Sequence, residues 1–335
     1  MASLPVWHPE SLAARLPFLR RRGLLLAATR AFFTARGYTE VETPYAVTAP
    51  GEEVHLSAFG TTRIGTDGSR TPLWLHTSPE FAMKRLLVGG SGPIFQLARV
   101  WRNGEGSARH AAEFTMLEWY RPGASMDDLI AETTAFLRAV LPPSVTSQGV
   151  TTDLGTVEQL TVAEAFDRHV GADLLGTAGD AAALAAASAD RLRDGEDWED
   201  LFFRLLLARV EPHLGQAHPT FLTHWPAAQA ALARRDPRDP RVAERFELYV
   251  CGMELANAFV ELTDATEQRA RFLADRARRR ALYGGDDWPL DEDFLAAMAH
   301  GMPPSSGIAL GFDRLAMIAS GADRVDQVQW LPEAR

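Results

Sequence analysis

The sequence predicts an α+β fold: a class of architecture with an antiparallel sheet flanked by helices, here carrying a helical insertion. Three observations carry that prediction. Segments that alternate apolar and polar residues come in neighbouring pairs, without the strict strand–helix–strand alternation of a doubly wound sheet. Helical periodicity gathers in stretches of its own, densest over residues 157–212. Of 335 residues, 46% are apolar and 23% charged, too apolar for disorder and long enough for a full core.

The elements follow in order. Leu24, Ala28, Ala31, Phe32 and Ala35 form a helical stripe, and Gly37 ends it. A short strand is expected in Tyr38–Glu42, stopped by Pro44. Thr61–Ser69 is turn-rich and reads as a hairpin tip. Thr77-Ser78-Pro79-Glu80 places a hydroxyl and a proline at a helix start, with the helix running to Val88 and closed by Gly89-Gly90. Ile94–Arg102 and Glu113–Tyr120 both alternate and flank a polar loop, Asn103–Ala112. Residues 126–140 read as a helix, 141–156 as a linker or edge hairpin, and 157–212 as the helical insertion, including the Ala-rich stretch Ala181–Ala189. A charged loop, Arg234–Arg241, precedes strands within Arg245–Leu262 that turn at Cys251-Gly252. A basic helix covers Glu267–Leu282, and a last strand and helix occupy Gly307–Ile318.

Charge and composition narrow the function. Lys and Arg total 34 against 44 Asp and Glu, a formal net charge of −10, which argues against a broad nucleic-acid footprint. A single cysteine, Cys251, excludes an intrachain disulfide and a cysteine-based zinc site. The N-terminus MASLPVWHPE has no secretory pattern, and the apolar runs Leu24–Ala28 and Leu205–Ala208 fall short of the ~20 residues of a membrane span. The expectation is a cytoplasmic protein. Of nine histidines, His213, His218 and His224 read as loop residues without metal spacing.

Three constellations could carry chemistry. If Ile94–Arg102 and Glu113–Tyr120 form a hairpin, their even-numbered residues share one face, which presents Arg102, Phe114, Glu118 and Tyr120. That face is either simply solvated or a platform offering arginine to an anion, a ring to a flat ligand and a carboxylate to a cation. Glu254-Leu-Ala-Asn257-Ala-Phe-Val-Glu261 sets two carboxylates about an amide, a donor set suited to Mg²⁺ or else two solvated strand glutamates. Seven residues separate the two glutamates, so a shared ion requires a bend or bulge near Asn257. In Gly307-Ile-Ala309-Leu-Gly311-Phe-Asp313-Arg314, small residues at period 2 leave one face bare, for a flat ligand or for a tight packing corner.

Together these segments resemble the three motifs of class II aminoacyl-tRNA synthetases. Arg36–Pro44 is similar to motif 1, Trp101–Glu105 with Glu113–Tyr120 to motif 2, and Gly307–Arg314 to motif 3. The stretch Glu254–Asp264 resembles a segment of the lysyl-specific subgroup, and the resemblance spans residues 15–320. Motif 1 begins 36 residues in, which leaves no room for an anticodon-binding domain and implies one catalytic domain over 1–335 of a truncated kind. In that kind, (R)-β-lysine is activated with ATP and passed to a lysine side chain of elongation factor P.

The resemblance implies roles. Arg102, Arg314, Glu254 and Glu261 are the catalytic set. ATP falls to Arg102, Asn103, Gly104, Glu105, His110, Ala111, Phe114, Glu254, Leu255, Gly311 and Arg314. The amino acid falls to Ser78, Pro79, Glu80, Glu118, Tyr120, Asn257, Glu261 and Ala309, and Mg²⁺ to Glu254 and Glu261. A homodimer is implied through motif 1, with no stable tRNA binding. Two departures stand out: Ala111-Ala112 replaces an Asn-Pro pair, and Gly104 occupies the slot of the motif 2 acid, with Glu105 next. Arg276, Arg278, Arg279 and Arg280 are either a solvated helix face or a docking patch for an acidic partner. The alternatives are an enzyme that passes an amino acid to tRNA or a small molecule, and a binding paralogue without turnover.

Overall fold

The structure, a computed structural model, describes residues 4–284 and 288–332. Its strands in chain order are β1 (Thr39–Glu40), β2 (Ala46–Val47), β3 (Gly60–Ile64), β4 (Arg70–Leu75), β5 (Ile94–Trp101), β6 (Glu113–Pro122), β7 (Ser144–Ser147), β8 (Val150–Asp153), β9 (Glu158–Thr161), β10 (Thr220–Pro226), β11 (Val242–Val250), β12 (Met253–Val260) and β13 (Ser305–Gly311). The α-helices are α1 (Pro9–Thr34), α2 (Glu80–Val88), α3 (Met126–Val140), α4 (Val162–His169), α5 (Ala181–Ala187), α6 (Trp198–Leu205), α7 (Ala265–Tyr283), α8 (Glu292–Gly301) and α9 (Phe312–Ser320). They form two compact units: Met1–Ser125 with Glu261–Arg335, and Met126–Val260.

In the first unit β5, β6 and β13 run antiparallel, and β1 adds to β5 in parallel. Packing of α1 covers this sheet. Phe33 stacks on Phe95 with ring centroids 4.9 Å apart and meets Trp119 at 5.0 Å. The helix starts well before the stripe that the sequence suggested, and its buried face is Leu19, Arg22, Leu25, Thr29, Phe32 and Phe33. Leu24, Ala28, Ala31 and Ala35 lie off that face. Polar residues misled the count. Thr29 returns its hydroxyl to Leu25 O at 2.8 Å, and Arg22 pairs with Asp313 at 2.6 Å, so both are buried at low cost. Of the expected hairpin tip Thr61–Ser69, only residues 65–69 form the turn between β3 and β4, which pair antiparallel; Thr61–Ile64 belong to β3. Helix α8 went unforeseen; it packs on α2, where Phe81 stacks on Phe294 at 4.6 Å.

In the second unit β12, β11 and β10 are antiparallel, and β9 pairs with β10 in parallel. The strands of each unit are therefore mixed rather than purely antiparallel, the parallel pairs being β1–β5 in the first unit and β9–β10 in the second. Strand β10 was not expected from the sequence, and residues 141–156 form the hairpin β7–β8. The insertion is helical from Val162, after β9. Phe166, Phe202 and Trp198 form a stacked run, and this core includes Leu222, Trp225 and Tyr249 of the strands. His224 belongs to β10, at a register shift, rather than to a loop.

Candidate active site

The strand face expected from alternation is present. In the register of β5, β6 and β13, Gln96, Glu118 and Ala309 lie abreast, as do Ile94, Tyr120 and Gly307. Glu118 is fully buried. Its Oε1 accepts from Ser78 Oγ at 2.5 Å and its Oε2 from Tyr120 Oη at 3.1 Å. Ser78 stands just ahead of α2, whose N-cap is Pro79, and also accepts from Glu80 N at 3.0 Å. Glu80 meets Lys84 one helical turn on, Oε1 to Nζ 2.5 Å. Lys84 then reaches Glu261 Oε2 at 2.6 Å. Glu261 Oε1 is buried with no hydrogen-bond partner among the described residues. A side chain at Gly307 would collide with the Tyr120 ring and with Glu261, so glycine is required for this close approach.

Electrostatics follow from burial. Desolvation pushes the Glu118 carboxyl up to about 8, reinforced by Glu80 and opposed by the Ser78 and Tyr120 hydrogen bonds. Burial raises Tyr120, aided by the carboxylates around it. Burial likewise raises Glu261, while Lys84 holds it down. For Lys84, burial works against the charge, but Glu261 and Glu80 together keep the ammonium above its ordinary range. No group of three or more His, Cys, Asp or Glu among the described residues converges on a metal-sized point.

The remaining motif residues of this unit lie around the loop between β5 and β6. Arg102 leaves β5 with its N–H on Ala112 O, its guanidinium carbon 5.3 Å from the Phe114 ring centroid and its Nη1 3.8 Å from Glu105. Its Nε is buried without a hydrogen-bond partner among the described residues. Asn103 pairs with Ser57 through its backbone, N to O 2.7 Å. Gly104 has φ +84°, a conformation that explains glycine in the slot of the acid and delivers Glu105 toward Arg102. Ser107 Oγ is 2.9 Å from His110 Nδ1, and His110 Nε2 faces Arg314. Gly311 caps α9, which bears Arg314. Glu105, His110 and Ala111 line a hollow of about 290 Å³ together with Val325, Asp326 and Gln329.

The second unit holds another cluster. The irregularity required near Asn257 is a bulge at Leu255, where the register steps from Leu248↔Ala256 to Tyr249↔Glu254. It sets Glu254, Asn257 and Phe259 opposite Tyr249, Glu247 and Arg245. Arg245 donates to Glu247 Oε1 at 2.7 Å and to Asn257 Oδ1 at 3.2 Å. Tyr249 Oη donates to Glu247 Oε2 at 2.7 Å. Burial raises the Glu247 carboxyl to about 7, reinforced by the charge of Glu254 and opposed by Arg245. Of the arginine run on α7, Arg276 turns toward Glu52 (3.8 Å), and Arg279 bonds the carbonyls of Glu53 and Val54 over the Trp288 ring. Arg276 and Arg279 are thus committed to the fold.

Sequence reasoning missed Lys84, Arg245, Glu247 and Tyr249. One signal was available, since Lys84 follows Glu80 by four on a helix; a turn at Cys251-Gly252 alone sets Glu247 across from Ala256, and the bulge at Leu255 shifts it to Asn257.

A three-stranded antiparallel floor with a strand–loop–strand arginine, a strand-to-helix arginine and buried carboxylates defines an amino-acid-activating synthetase fold. The family model of class II tRNA synthetases (D, K and N) matches residues 14–335, and the chain belongs to that family. Within it, proteins named elongation factor P–(R)-β-lysine ligase are its near relatives. Those of Klebsiella pneumoniae (strain 342) and Edwardsiella ictaluri (strain 93-146) are each 44% identical over 332 residues, covering 98% of both chains. The protein of that name from Salmonella dublin is similar to the same extent. Among the described residues, no helix is long and apolar enough to cross a membrane.

Proposed function

We propose that this chain activates (R)-β-lysine with ATP and transfers it to a lysine side chain of elongation factor P, acting as one catalytic domain, a homodimer, in the cytoplasm and without stable tRNA binding. The observation that carries the reading is the fully buried Glu118, hydrogen-bonded by Ser78 and Tyr120 and accompanied by Glu80 and Glu261. Several separate carboxylates on a closed sheet face suit a substrate with two ammonium groups and penalise one with a single amine, which leaves a buried acid unpaired.

Two steps follow. The substrate carboxylate attacks the α-phosphorus of ATP, and pyrophosphate leaves with the bridging electrons. The acceptor amine, having shed a proton, then attacks the acyl carbon, and the C–O bond to AMP breaks. Alignment and neutralisation of charge supply the rate, and the planar fork of Arg102 suits a carboxylate and a phosphate held together. Phe114 and Arg314 take the two faces of the adenine, and Glu105 reads its amino group beside the left-handed turn at Gly104. Mg²⁺ would be held by Glu254 and Glu261, the pair the resemblance implies, and would neutralise phosphate charge. Glu261 also ion-pairs with Lys84 and borders the amino-acid pocket.

ATP–pyrophosphate exchange with a panel of amino acids, followed by transfer to purified elongation factor P or to tRNA, tests this reading. Exchange with β-lysine and transfer to the protein are expected. No exchange with any amino acid removes the catalytic reading, and transfer to tRNA alone removes the acceptor.

A further inference from the structure

Strand β13 leaves β6 early. Its register ends at Gly311↔Met116, so Glu113–Thr115 of β6 keep β5 as a strand neighbour but have passed the end of β13. Backbone polar groups there still need partners. Two side chains supply them. Asp313, in the first turn of α9, accepts from Thr115 N through Oδ1 at 3.4 Å. Gln329 Nε2 donates to Glu113 O at 3.1 Å and to Asp313 Oδ2 at 2.9 Å. Arg22 of α1 completes the cluster: its Nη1 meets Asp313 Oδ1 at 2.6 Å, and its Nη2 donates to Thr115 Oγ1 at 2.8 Å. All four side chains are buried, and the two-step chemistry uses none of them.

We infer that Gln329 and Asp313 are positioning residues that set the gap into which the adenine inserts. This rests on the ATP site proposed above and adds what holds its two walls in register. Phe114 lies between the clasped residues Glu113 and Thr115, and Arg314 directly follows Asp313. One amide and one carboxylate therefore tie both walls to a common point. The amide is specific in its chemistry: its two hydrogens serve a carboxylate and a carbonyl at once, and an apolar side chain of similar size serves neither. The segment that carries Gln329 has anchors of its own. Arg15 Nη1 donates to Gln329 O at 2.8 Å, and Val325 N donates to Ala108 O at 2.8 Å. Loss of the amide thus loosens the walls while the backbone anchors of the segment remain.

Calorimetric titration of wild type, Gln329→Met and Gln329→Leu with ATP, with adenosine and inorganic tripolyphosphate as competitors, tests the inference. Both variants are expected to bind ATP and adenosine about tenfold more weakly, the scale of one or two lost hydrogen bonds. Tripolyphosphate should bind within about twofold of wild type, because it has no base to place between the walls. In pyrophosphate exchange the KM for ATP should rise by the same factor, while the KM for the amino acid stays within about threefold. A packing role would lower the melting temperature and weaken all three ligands alike, or none. Equal losses for the three ligands, or no loss for any, overturn the inference. Asp313→Asn gives a second reading: it keeps an oxygen for Arg22 and Thr115 N but turns a donor toward the Gln329 amide. The same selective loss of adenosine is expected, and a loss shared by tripolyphosphate counts against the inference. Wild type that binds ATP but activates no diamino acid removes the proposed function, and these titrations still decide the role of Gln329. Wild type that binds neither ATP nor adenosine overturns both.

Discussion

Each unit carries the same local device. On β6, Tyr120 donates to the buried Glu118 two residues before it; on β11, Tyr249 does so to Glu247. Burial raises both carboxyls. The difference lies in where the compensating cation comes from. Glu247 has Arg245 on its own strand, bonded at 2.7 Å and lying 4.1 Å from the Trp225 ring. Glu118 accepts from neutral hydroxyls, and the nearby Lys84 is spent on Glu80 and Glu261. A strand that supplies its own cation closes the site. A strand that withholds it leaves a demand for one from outside, which is what a binding pocket is.

Breaking the closed pair has the largest expected effect on stability. Arg245→Met leaves Glu247 buried beside Glu254 without its guanidinium and should cost about 3–5 kcal/mol in urea unfolding. A loss under about 1 kcal/mol would mean that Glu247 is balanced by something else. The open partner responds in binding. Glu118→Gln should reduce diamino-acid activation about 100-fold, with the KM for ATP unchanged, because one charge-assisted contact is lost in a dry site. Unchanged activation would remove Glu118 from the pocket.

The same substitution should reverse sign in stability. The ordinary carboxyl value is 4.5, and that of folded Glu118 is about 8. The folded state therefore holds the proton more tightly. Its stability is highest below the ordinary value, falls as pH rises from 4.5 through about 8, and levels above that. Glu118→Gln cannot ionise, so its melting temperature should gain on wild type steadily over this window. A constant difference across the window would show that Glu118 is not held protonated.

The comparison also explains what could be read from the sequence. Alternation on β5 and β6 placed Glu118 and Tyr120 on one face, because a strand's period of two survives any packing, whereas Arg102 lies one residue past the end of β5 and outside the paired register. An ion shared by Glu254 and Glu261 would need a bulge near Asn257, and one is present at Leu255, but nothing local marked its position. Arg22 and Thr29 hid the buried face of α1, since polar residues satisfied by one partner read as surface in a count of apolar positions. Lys84 was hidden for the same reason: a lysine on a helix is ordinarily solvated, and only the tertiary position of Glu261 turns it inward.

The smallest expected effects come from the two tyrosines, and they discriminate best between a closed and an open site. Tyr249→Phe removes a hydroxyl from a carboxylate that keeps Arg245, so the loss should be about 0.5–1.5 kcal/mol in unfolding, with activation by amino acid little changed. Tyr120→Phe removes one donor from a carboxylate that keeps Ser78. Without substrate that loss is small, because Glu118 can hold a proton instead. With substrate the carboxylate must be charged, so the cost appears as a raised KM for the diamino acid, about tenfold, steepest below pH 8. Measuring unfolding and KM for both variants side by side separates the two clusters: one tyrosine is worth stability, the other affinity. Equal effects of both on stability and none on KM would mean that the β6 cluster is as closed as the β11 one.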